Sequence, residues 1–281
     1  MVSIIILSYN TKDLLKSCLE SIGKNLKGFE FEVIVVDNAS TDATASAISN
    51  NNAIKLIQNK ENLGFSKGNN IGAKKARGEY LLFLNSDTEI QDNGLRRMLE
   101  FFKEHSDIGI VGAKLTNPDE SSQRSAGNFY SIINTILMLF GGEHFVRFSP
   151  KEIQEVDWVS GAFMMVRREI FRKLKGFDEN FFMYMEDMEI CFRAKKLGFS
   201  TYFYPDVSVL HKELGSSNRT FAIVHIYEGL LYFYKKHRGG FEYQLARGLL
   251  LIKALSAILL GSIVRNTYLT ATYQKALKVS V

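Results

Sequence analysis

Proline and cysteine are scarce in this 281-residue chain, with three and two respectively. So few prolines, and no low-complexity tract, exclude a long disordered linker. Cys18 and Cys191 each sit in an apolar helical pattern and read as buried reduced thiols, not as a disulfide framework. The glycine fingerprints of common nucleotide sites are also missing. The first apolar run leads into Ser8-Tyr9-Asn10-Thr11, so G-x-G-x-x-G fails there, and no G-x-x-x-x-G-K-[ST] loop occurs. Gly64, Gly68 and Gly72 are spaced by four, which fits neither fingerprint. No basic segment precedes Val2–Leu7, so a secretory signal is not expected and the N-x-S/T matches at Asn38 and Asn218 carry no weight. Long uncharged apolar runs are absent too. Leu245–Val264 is strongly apolar but contains Arg247 and Lys253, and its longest uncharged run is Ala254–Val264. A spanning helix needs about 20 residues, so a helix lying in a membrane interface is the expectation here. Packing on the domain or on a partner subunit is the alternative.

What remains is ordinary globular composition, 46% hydrophobic and 23% charged, in a length that suits one large α/β domain with or without a small appendage. The net charge of +5 is unevenly placed. From Lys235 onward eight Lys and Arg face Glu242 alone, so the basic excess belongs to the C-terminal tail. No nucleic-acid motif accompanies it, and no nucleic-acid partner is expected.

Short β-branched runs alternate with amphipathic stretches through the first 115 residues. Val2–Leu7, Glu32–Val36, Ile54–Ile57, Tyr80–Leu84 and Ile108–Val111 read as buried strands. Leu14, Leu15, Cys18, Leu19 and Ile22 mark a helix, as do Leu95, Met98, Leu99 and Phe102. Ser66 is a candidate cap for a helix running to about Ala76, ended by Gly78. Strand and helix in alternation predict a doubly wound sheet whose ligands bind at the carboxyl ends of its strands. Those ends are polar: Ser8-Tyr9-Asn10, then Asp37-Asn38-Ala39-Ser40-Thr41-Asp42, then Asn85-Ser86-Asp87. Acidic groups beside a phosphate site imply a metal between them. Beyond Val156, Trp158–Val166 is a strand candidate, Glu186–Leu197 a helix, Ser200–Tyr204 and Val207–Leu210 short strands, and Phe221–Tyr234 an aromatic helix. Residues 116–155 are the least legible.

VSIIILSYN (2–10), EVIVVDNASTD (32–42), ENLGFSKGNNIG (61–72) and YLLFLNSD (80–87) resemble the donor half of a family 2 glycosyltransferase. WVSGAFMMVR (158–167), Gly176-Phe177-Asp178, FFMYMEDMEICFR (181–193) and Val207–His211 resemble its acceptor half, closest in look to the bacterial rhamnosyltransferase-like branch. Each motif is weak alone; their order and spacing over roughly residues 2–215 carry the likeness. The resemblance implies a GT-A fold: a Rossmann-like, mostly parallel central sheet flanked by helices. A glycosyltransferase domain would span 1–218, with a donor half at 1–115 and an acceptor half at 116–218. A helical C-terminal region would follow at 219–281.

The resemblance also implies roles. Ser8, Tyr9, Asp37, Asn38, Lys67, Asn69, Asn85, Ser86 and Asp87 would line the nucleotide-sugar site, with Asp37 accepting the pyrimidine N3–H. By its place in the chain Asn38, like Asp42, reads first as a turn or capping residue, and Ser40 and Thr41 are better placed than Asp37 to cap the next helix. Asn85-Ser86-Asp87 occupies the place of the D-x-D motif, with Asn85 for the first Asp, so Asp87, helped by His211, would hold Mg2+ or Mn2+. Asp187 would be the general base, with Glu186 its competitor and an acceptor-side residue, and Trp158 and Gly161 would shape the acceptor pocket. The implied reaction is an inverting transfer from dTDP-rhamnose or a UDP-sugar to a saccharide or lipid-linked acceptor, in bacterial cell-surface polysaccharide or glycan assembly. The enzyme would be cytoplasmic, peripheral at the inner face of an anionic cell membrane, with a homo-oligomer left open. A sugar-phosphate nucleotidyltransferase would instead carry a Gly-rich loop with Arg and Lys after the first strand, which Ser8–Lys12 lacks. A silent sugar-binding protein is the other alternative, disfavoured by an intact Asp87 and Asp187.

Overall fold

The five apolar runs of the first 115 residues form strands in a computed structural model that describes residues 1–212 and 218–280. They are β1 (Val2–Ser8), β2 (Phe31–Asp37), β3 (Ile54–Gln58), β4 (Tyr80–Asn85) and, after a short β5 (Thr88–Ile90), β6 (Ile108–Thr116). Helices α1 (Lys12–Asn25), α2 (Thr44–Ile48), α3 (Gly64–Lys75) and α4 (Leu95–Glu104) connect them. Ile4, Ile5 and Ile6 are all fully buried, because the sheet is covered on both faces and consecutive residues of a strand point to opposite sides.

The less legible middle of the chain supplies β7 (Ala126–Gly127), α5 (Ile132–Leu139), α6 (Glu143–Val146), β8 (Arg147–Phe148) and β9 (Gln154–Val156). The strand expected over Trp158–Val166 is two: β10 (Trp158–Val159) and β11 (Phe163–Arg167). Ser160-Gly161-Ala162 turns the chain between them, and β10 pairs with β7 in a separate three-stranded sheet while β11 enters the large one. Then come α7 (Arg168–Lys173) and α8 (Glu186–Lys196). The two short strands expected next are one, β12 (Ser200–His211), continuous through a register shift between Tyr204 and Ser208. Helices α9 (Arg219–His237), α10 (Gly240–Ile263) and α11 (Thr267–Ser280) complete the described chain.

The large sheet runs β3-β2-β1-β4-β11-β6-β12-β5, with β9 on the free side of β12. Strands β1–β4 are mutually parallel, β6 and β12 are parallel to each other, and β11 lies antiparallel between β4 and β6. Six of the nine strands therefore point one way: the fold is α/β with a mostly parallel central sheet. Chain contacts divide the molecule into two compact units. The first is Met1–Gly127, Arg147–Phe182 and Glu186–Ser216; the second, all helices, is Asn128–Val146, Met183–Met185 and Ser217–Val281. Residues 213–217, at the end of the expected 1–218 domain, lie outside the described residues.

The four-residue glycine spacing has a packing cause. On α3 a Cβ at Gly68 would lie 2.4 Å from Leu7 Cδ1, and one at Gly72 would lie 2.6 Å from Ile5 Cγ2. This face lets the helix lie flat on β1. Ser66 is buried within α3 and does not cap it; Asn62 Oδ1 accepts the Gly64 N–H at 3.0 Å instead. Ala43 stands at the N-cap of α2 without a side-chain cap; Asp42, one residue earlier, accepts the Thr44 N–H at 3.1 Å, while Ser40 and Thr41 bond to Asn10. Cys18 and Cys191 are free and buried, and burial pushes both thiols up to about 12. Gly68→Ala is expected to lower stability by about 1–3 kcal/mol, as overpacking does. Gly23→Ala, in α1 with nothing within 4 Å of the new Cβ, is expected to raise it by roughly 0.5–1 kcal/mol. Urea unfolding of both variants checks the pair, and equal effects would exclude close α3–β1 packing as the reason for glycine at 68.

Candidate active site

Four strand ends carry the site. β1 and β4 close with Ser8 and with Asn85-Ser86, and three hydroxyls join them: Ser8 Oγ to Thr11 Oγ1 at 2.7 Å, and Thr11 Oγ1 to Ser86 Oγ at 2.9 Å. Next to them β2 ends in Asp37, which is 2% exposed. Its Oδ2 accepts the Ser40 N–H at 3.3 Å. Its Oδ1 is buried with no hydrogen-bond partner among the described residues. Leaving a buried acceptor unsatisfied costs roughly 1–3 kcal/mol, so such an atom at a strand end is a receptor for an incoming N–H or O–H. Tyr9 is half-buried beside this end.

Asn38 is 1% exposed and its amide is engaged by the protein: Nδ2 donates to Asn62 Oδ1 and to the Gly64 carbonyl, each at 3.2 Å, and Oδ1 accepts from Asn59 Nδ2 at 2.7 Å. It ties β2 to the loop before α3. On α3 Lys67 is exposed, while Asn69 is buried with Nδ2 donating to the Phe65 carbonyl at 3.1 Å. Asn69 Oδ1 and Ser66 Oγ are further buried atoms without a partner among the described residues. The N-terminus of α3 is occupied by protein, because the Phe65 N–H donates to the Phe182 carbonyl at 2.6 Å. That bond ties the aromatic run ahead of α8 to α3.

Asp87 follows β4 and is 6% exposed. Antiparallel pairing of β5 with the end of β12 sets His211 opposite Thr88, and His211 Nε2 then lies 3.4 Å from Asp87 Oδ1. Gln123 fixes the ring from behind. Its Nε2 donates to Asn117 Oδ1 at 2.6 Å and to the His211 carbonyl at 2.7 Å, so its Oε1 faces His211 Nδ1 at 2.9 Å. That oxygen can only accept, so Nδ1 donates to Gln123 and Nε2 is the ring nitrogen that faces the Asp87 carboxylate. Among the described residues no group of three or more His, Cys, Asp and Glu converges. A metal here would complete its shell with phosphate oxygens and water, which suits Mg2+ or Mn2+.

Across the sheet, the antiparallel β11 brings Ala162 to the end of β4, where the Ala162 carbonyl accepts the Asn85 N–H at 3.1 Å. One residue earlier, Gly161 N–H donates to Asp187 Oδ2 at 3.1 Å, and Met188 N–H donates to Asp187 Oδ1 at 2.8 Å. Asp187 thus stands on the same sheet edge as Asn85-Ser86-Asp87. It lies in a recess with part of its surface reaching solvent. Burial raises its carboxyl above the ordinary aspartate range, against the pull of the two N–H groups and of the Arg147 charge. Arg147 also lies over the Trp158 ring, 5.7 Å from its centroid. Glu186, the neighbouring acid, is 4% exposed. Asn10 and Ala39, in the loops that follow β1 and β2, take positive φ. For non-glycine residues this is strain of the kind that collects at functional sites.

Gln123, Arg147 and Thr11 were not legible as site residues. Gln123 and Arg147 fall in the stretch where no hydrophobic period shows; Gln123 is brought in by lying back on the end of β6, its N–H donating to the Leu115 carbonyl at 2.9 Å, and Arg147 by the small sheet. Thr11 stood directly after Ser8-Tyr9-Asn10, and its place beside a polar strand end was the one signal available.

A family model, Glycosyl transferase family 2, matches residues 3–175. The N-acetylglucosaminyl-diphospho-decaprenol L-rhamnosyltransferase of Mycobacterium tuberculosis is 28% identical over 216 residues, which cover 66% of this chain and 68% of that protein. Rhamnosyltransferase WbbL of Escherichia coli is 25% identical over 222 residues, covering 75% and 83%. Among solved structures, the mannosyltransferase PcManGT from Pyrobaculum calidifontis, in complex with GDP-Man and Mn2+, aligns with a TM-score of 0.61 at 16% identity. That alignment covers 99% of this chain and 85% of the mannosyltransferase, and it is a likeness of fold.

The raised Asp187 carboxyl makes a stability prediction. A group that holds its proton more tightly when folded adds stability that is full below the ordinary value of 3.8 and is lost as pH rises through the folded value. Asp187→Asn cannot ionise, and it also lacks a second acceptor for the two N–H groups. It should therefore start below the wild type near about pH 4 and close that gap toward about pH 8 in urea titrations. A constant gap across that range would show that burial does not raise Asp187.

Proposed function

The chain belongs to glycosyl transferase family 2, in its rhamnosyltransferase-like branch and with the GT-A fold, and from that premise we propose an inverting, metal-assisted transfer of one sugar in which Asp37, Asp87 and Asp187 divide the work. A glycosyltransferase using a nucleotide-sugar donor is what membership provides. The donor we propose is dTDP-rhamnose or a UDP-sugar. The acceptor is a saccharide, most simply a lipid-linked one met at the cytoplasmic face of the membrane. The relatives named for rhamnosyl transfer, one of them to a decaprenyl-diphosphate sugar, support that choice.

The observation that carries the reading is the gathering of three carboxylates at one sheet edge, each in a different setting. Asp37 Oδ1 is the buried acceptor with no partner among the described residues, and it suits the N3–H of a pyrimidine base, with Tyr9 beside it. Ser8, Asn85 and Ser86 line the strand ends between base and diphosphate, and Lys67, exposed on α3, is available to phosphate. Asp87 Oδ1 and His211 Nε2 would hold the metal, with Gln123 keeping the imidazole in the tautomer that presents its lone pair. When bound, Mg2+ or Mn2+ supplies neutralisation of the charge that grows on the leaving diphosphate.

On the acceptor side Asp187 uses one lone pair of each oxygen on a backbone N–H, leaving capacity for an acceptor hydroxyl. The acceptor O–H proton passes to Asp187 as that oxygen bonds to the anomeric carbon, and the bond from that carbon to the diphosphate oxygen breaks with its electron pair. A raised carboxyl makes Asp187 the stronger base, while the N–H groups hold its orientation. Trp158, flanked by Arg147, and the bare backbone of Gly161 shape the space for the acceptor ring.

Two tests follow. Stabilisation by dTDP or UDP with Mn2+, read as a thermal shift, is expected to vanish in Asp87→Ala and to persist in Asn85→Asp. In Gln123→Leu the Mn2+ affinity should fall about 10–100-fold, as loss of an outer partner of a ligand does. Unchanged stabilisation in Asp87→Ala would remove Asp87 from the metal. For transfer, Asp187→Asn should keep donor binding and lose about 10²–10⁴-fold in rate. If Glu186→Gln shows that signature instead, the base is Glu186; normal transfer in both refutes the mechanism, and donor binding without transfer in the wild type makes the protein a silent binder.

A further inference from the structure

The second unit wears its apolar side chains outward. Helix α10 buries Ala246, Leu250, Ala254, Ala257 and Gly261, which are mostly small residues three or four apart. Its opposite face exposes Phe241, Leu245, Ile252, Leu255, Leu259 and Ile263, with Phe241 at 79% and Ile263 at 70%. A water-facing helix shows the reverse. Small residues inside and large aliphatics outside is the pattern of helices that pack together with lipid around them. Helix α5 packs beside α10 in the same unit and exposes Ile133 and Ile136, with Phe140 at its end. Among the described residues, only Met1, Ile153, Phe182 and Leu197 of the exposed large hydrophobics fall outside this unit.

The charges agree. The unit holds nine Lys and Arg against three acidic residues, so the basic excess of the chain resides in it. Lys235, Lys236 and Arg238 precede α10 and Arg265 follows it, which brackets the apolar face with cations. The three charges within the helix are engaged inside the unit: Glu242 Oε2 lies 4.0 Å from Arg238 Nε. Arg247 Nε donates to the Ser280 carbonyl at 2.7 Å, and Lys253 Nζ lies 5.6 Å from the centroid of the Phe140 ring. This revises the expectation from the uncharged run alone: α10 is one 24-residue helix, long and apolar enough to cross a membrane by length and composition. Its buried side packs on α9 and α11, so a single face is left for lipid.

We propose that α5 and α10 form one platform that lies on an anionic bilayer, sinking the Phe241–Ile263 stripe to the acyl boundary while the flanking Lys and Arg meet the headgroups. This deepens the acceptor side of the proposed function, because a platform of this kind keeps the enzyme at the surface where a lipid-linked sugar resides.

The test is flotation of the full chain with vesicles of phosphatidylglycerol and phosphatidylcholine, against phosphatidylcholine alone, at low and high salt. Binding should favour the anionic vesicles and weaken with salt. Leu255→Glu/Leu259→Glu changes two exposed positions, so folding, checked by circular dichroism and by the UDP–Mn2+ thermal shift, should be unchanged. Its vesicle binding should fall about tenfold or more, as loss of inserted apolar area requires. Equal binding by variant and wild type would overturn the proposal, as would a wild type that floats with neither vesicle. A stable dimer in sedimentation that the two glutamates dissolve would assign the face to a second copy of the chain, and retention after an alkaline wash would make α10 a spanning helix; either overturns the platform. Vesicle binding is read without turnover, so its success alongside failed UDP binding would count against the proposed function alone.

Discussion

Antiparallel insertion of β11 between β4 and β6 is the constraint on which the rest of the site depends. Without it the polar ends of the first four parallel strands would have nothing opposite. The insertion reverses chain direction at the one place where Ala162 can accept the Asn85 N–H and Gly161 can present its own N–H to Asp187. Two hydrogen bonds of backbone groups one residue apart thereby tie the end of β4 to the acid at the start of α8. A side chain at 161 would crowd this join, since a Cβ there would lie 3.1 Å from Phe65 Cζ and 3.5 Å from Asp187 Cβ.

Around that join the protein accepts local costs that a purely structural edge would avoid. Asp37 keeps a buried oxygen without a partner among the described residues, Asp187 is held where burial opposes its charge, and Asn10 and Ala39 in the loops after β1 and β2 take left-handed backbone. Each is unfavourable for folding and each is offset by a rigid surround: the Ser8–Thr11–Ser86 hydroxyl chain, the Asn38 amide ties and the Gln123 clamp on His211. Such spending of stability at a sheet edge is how a fold keeps polar groups poised for a ligand instead of pairing them with one another.

The two units obey opposite solvent rules. In the first, large aliphatics are buried and the polar groups at the strand ends are partly satisfied. In the second, the small residues of α10 are inside and its aliphatics outside. Hydrophobicity along the chain is nearly blind to this difference, since it records how apolar a helix is and not which side the neighbouring helices cover.

The sequence by itself determined the first half of the large sheet. Continuous β-branched runs, bounded by polar clusters, fixed five strands and the end of the sheet at which Asp37 and Asp87 lie, because parallel pairing leaves few other ways to bury both faces of such runs. It also singled out Asp187 and His211, through the likeness of short motifs more than through any period. Tertiary structure alone decided the rest. Trp158–Val166 became two strands in two sheets because Ser160-Gly161-Ala162 turns there, which no local preference announced. Gln123 reached the site by lying back on the end of β6, and Arg147 through pairing within the small sheet. Long-range pairing of this kind depends on which edges are left open once the core has formed, and a single sequence carries the propensity of each segment but not the partner that will claim it.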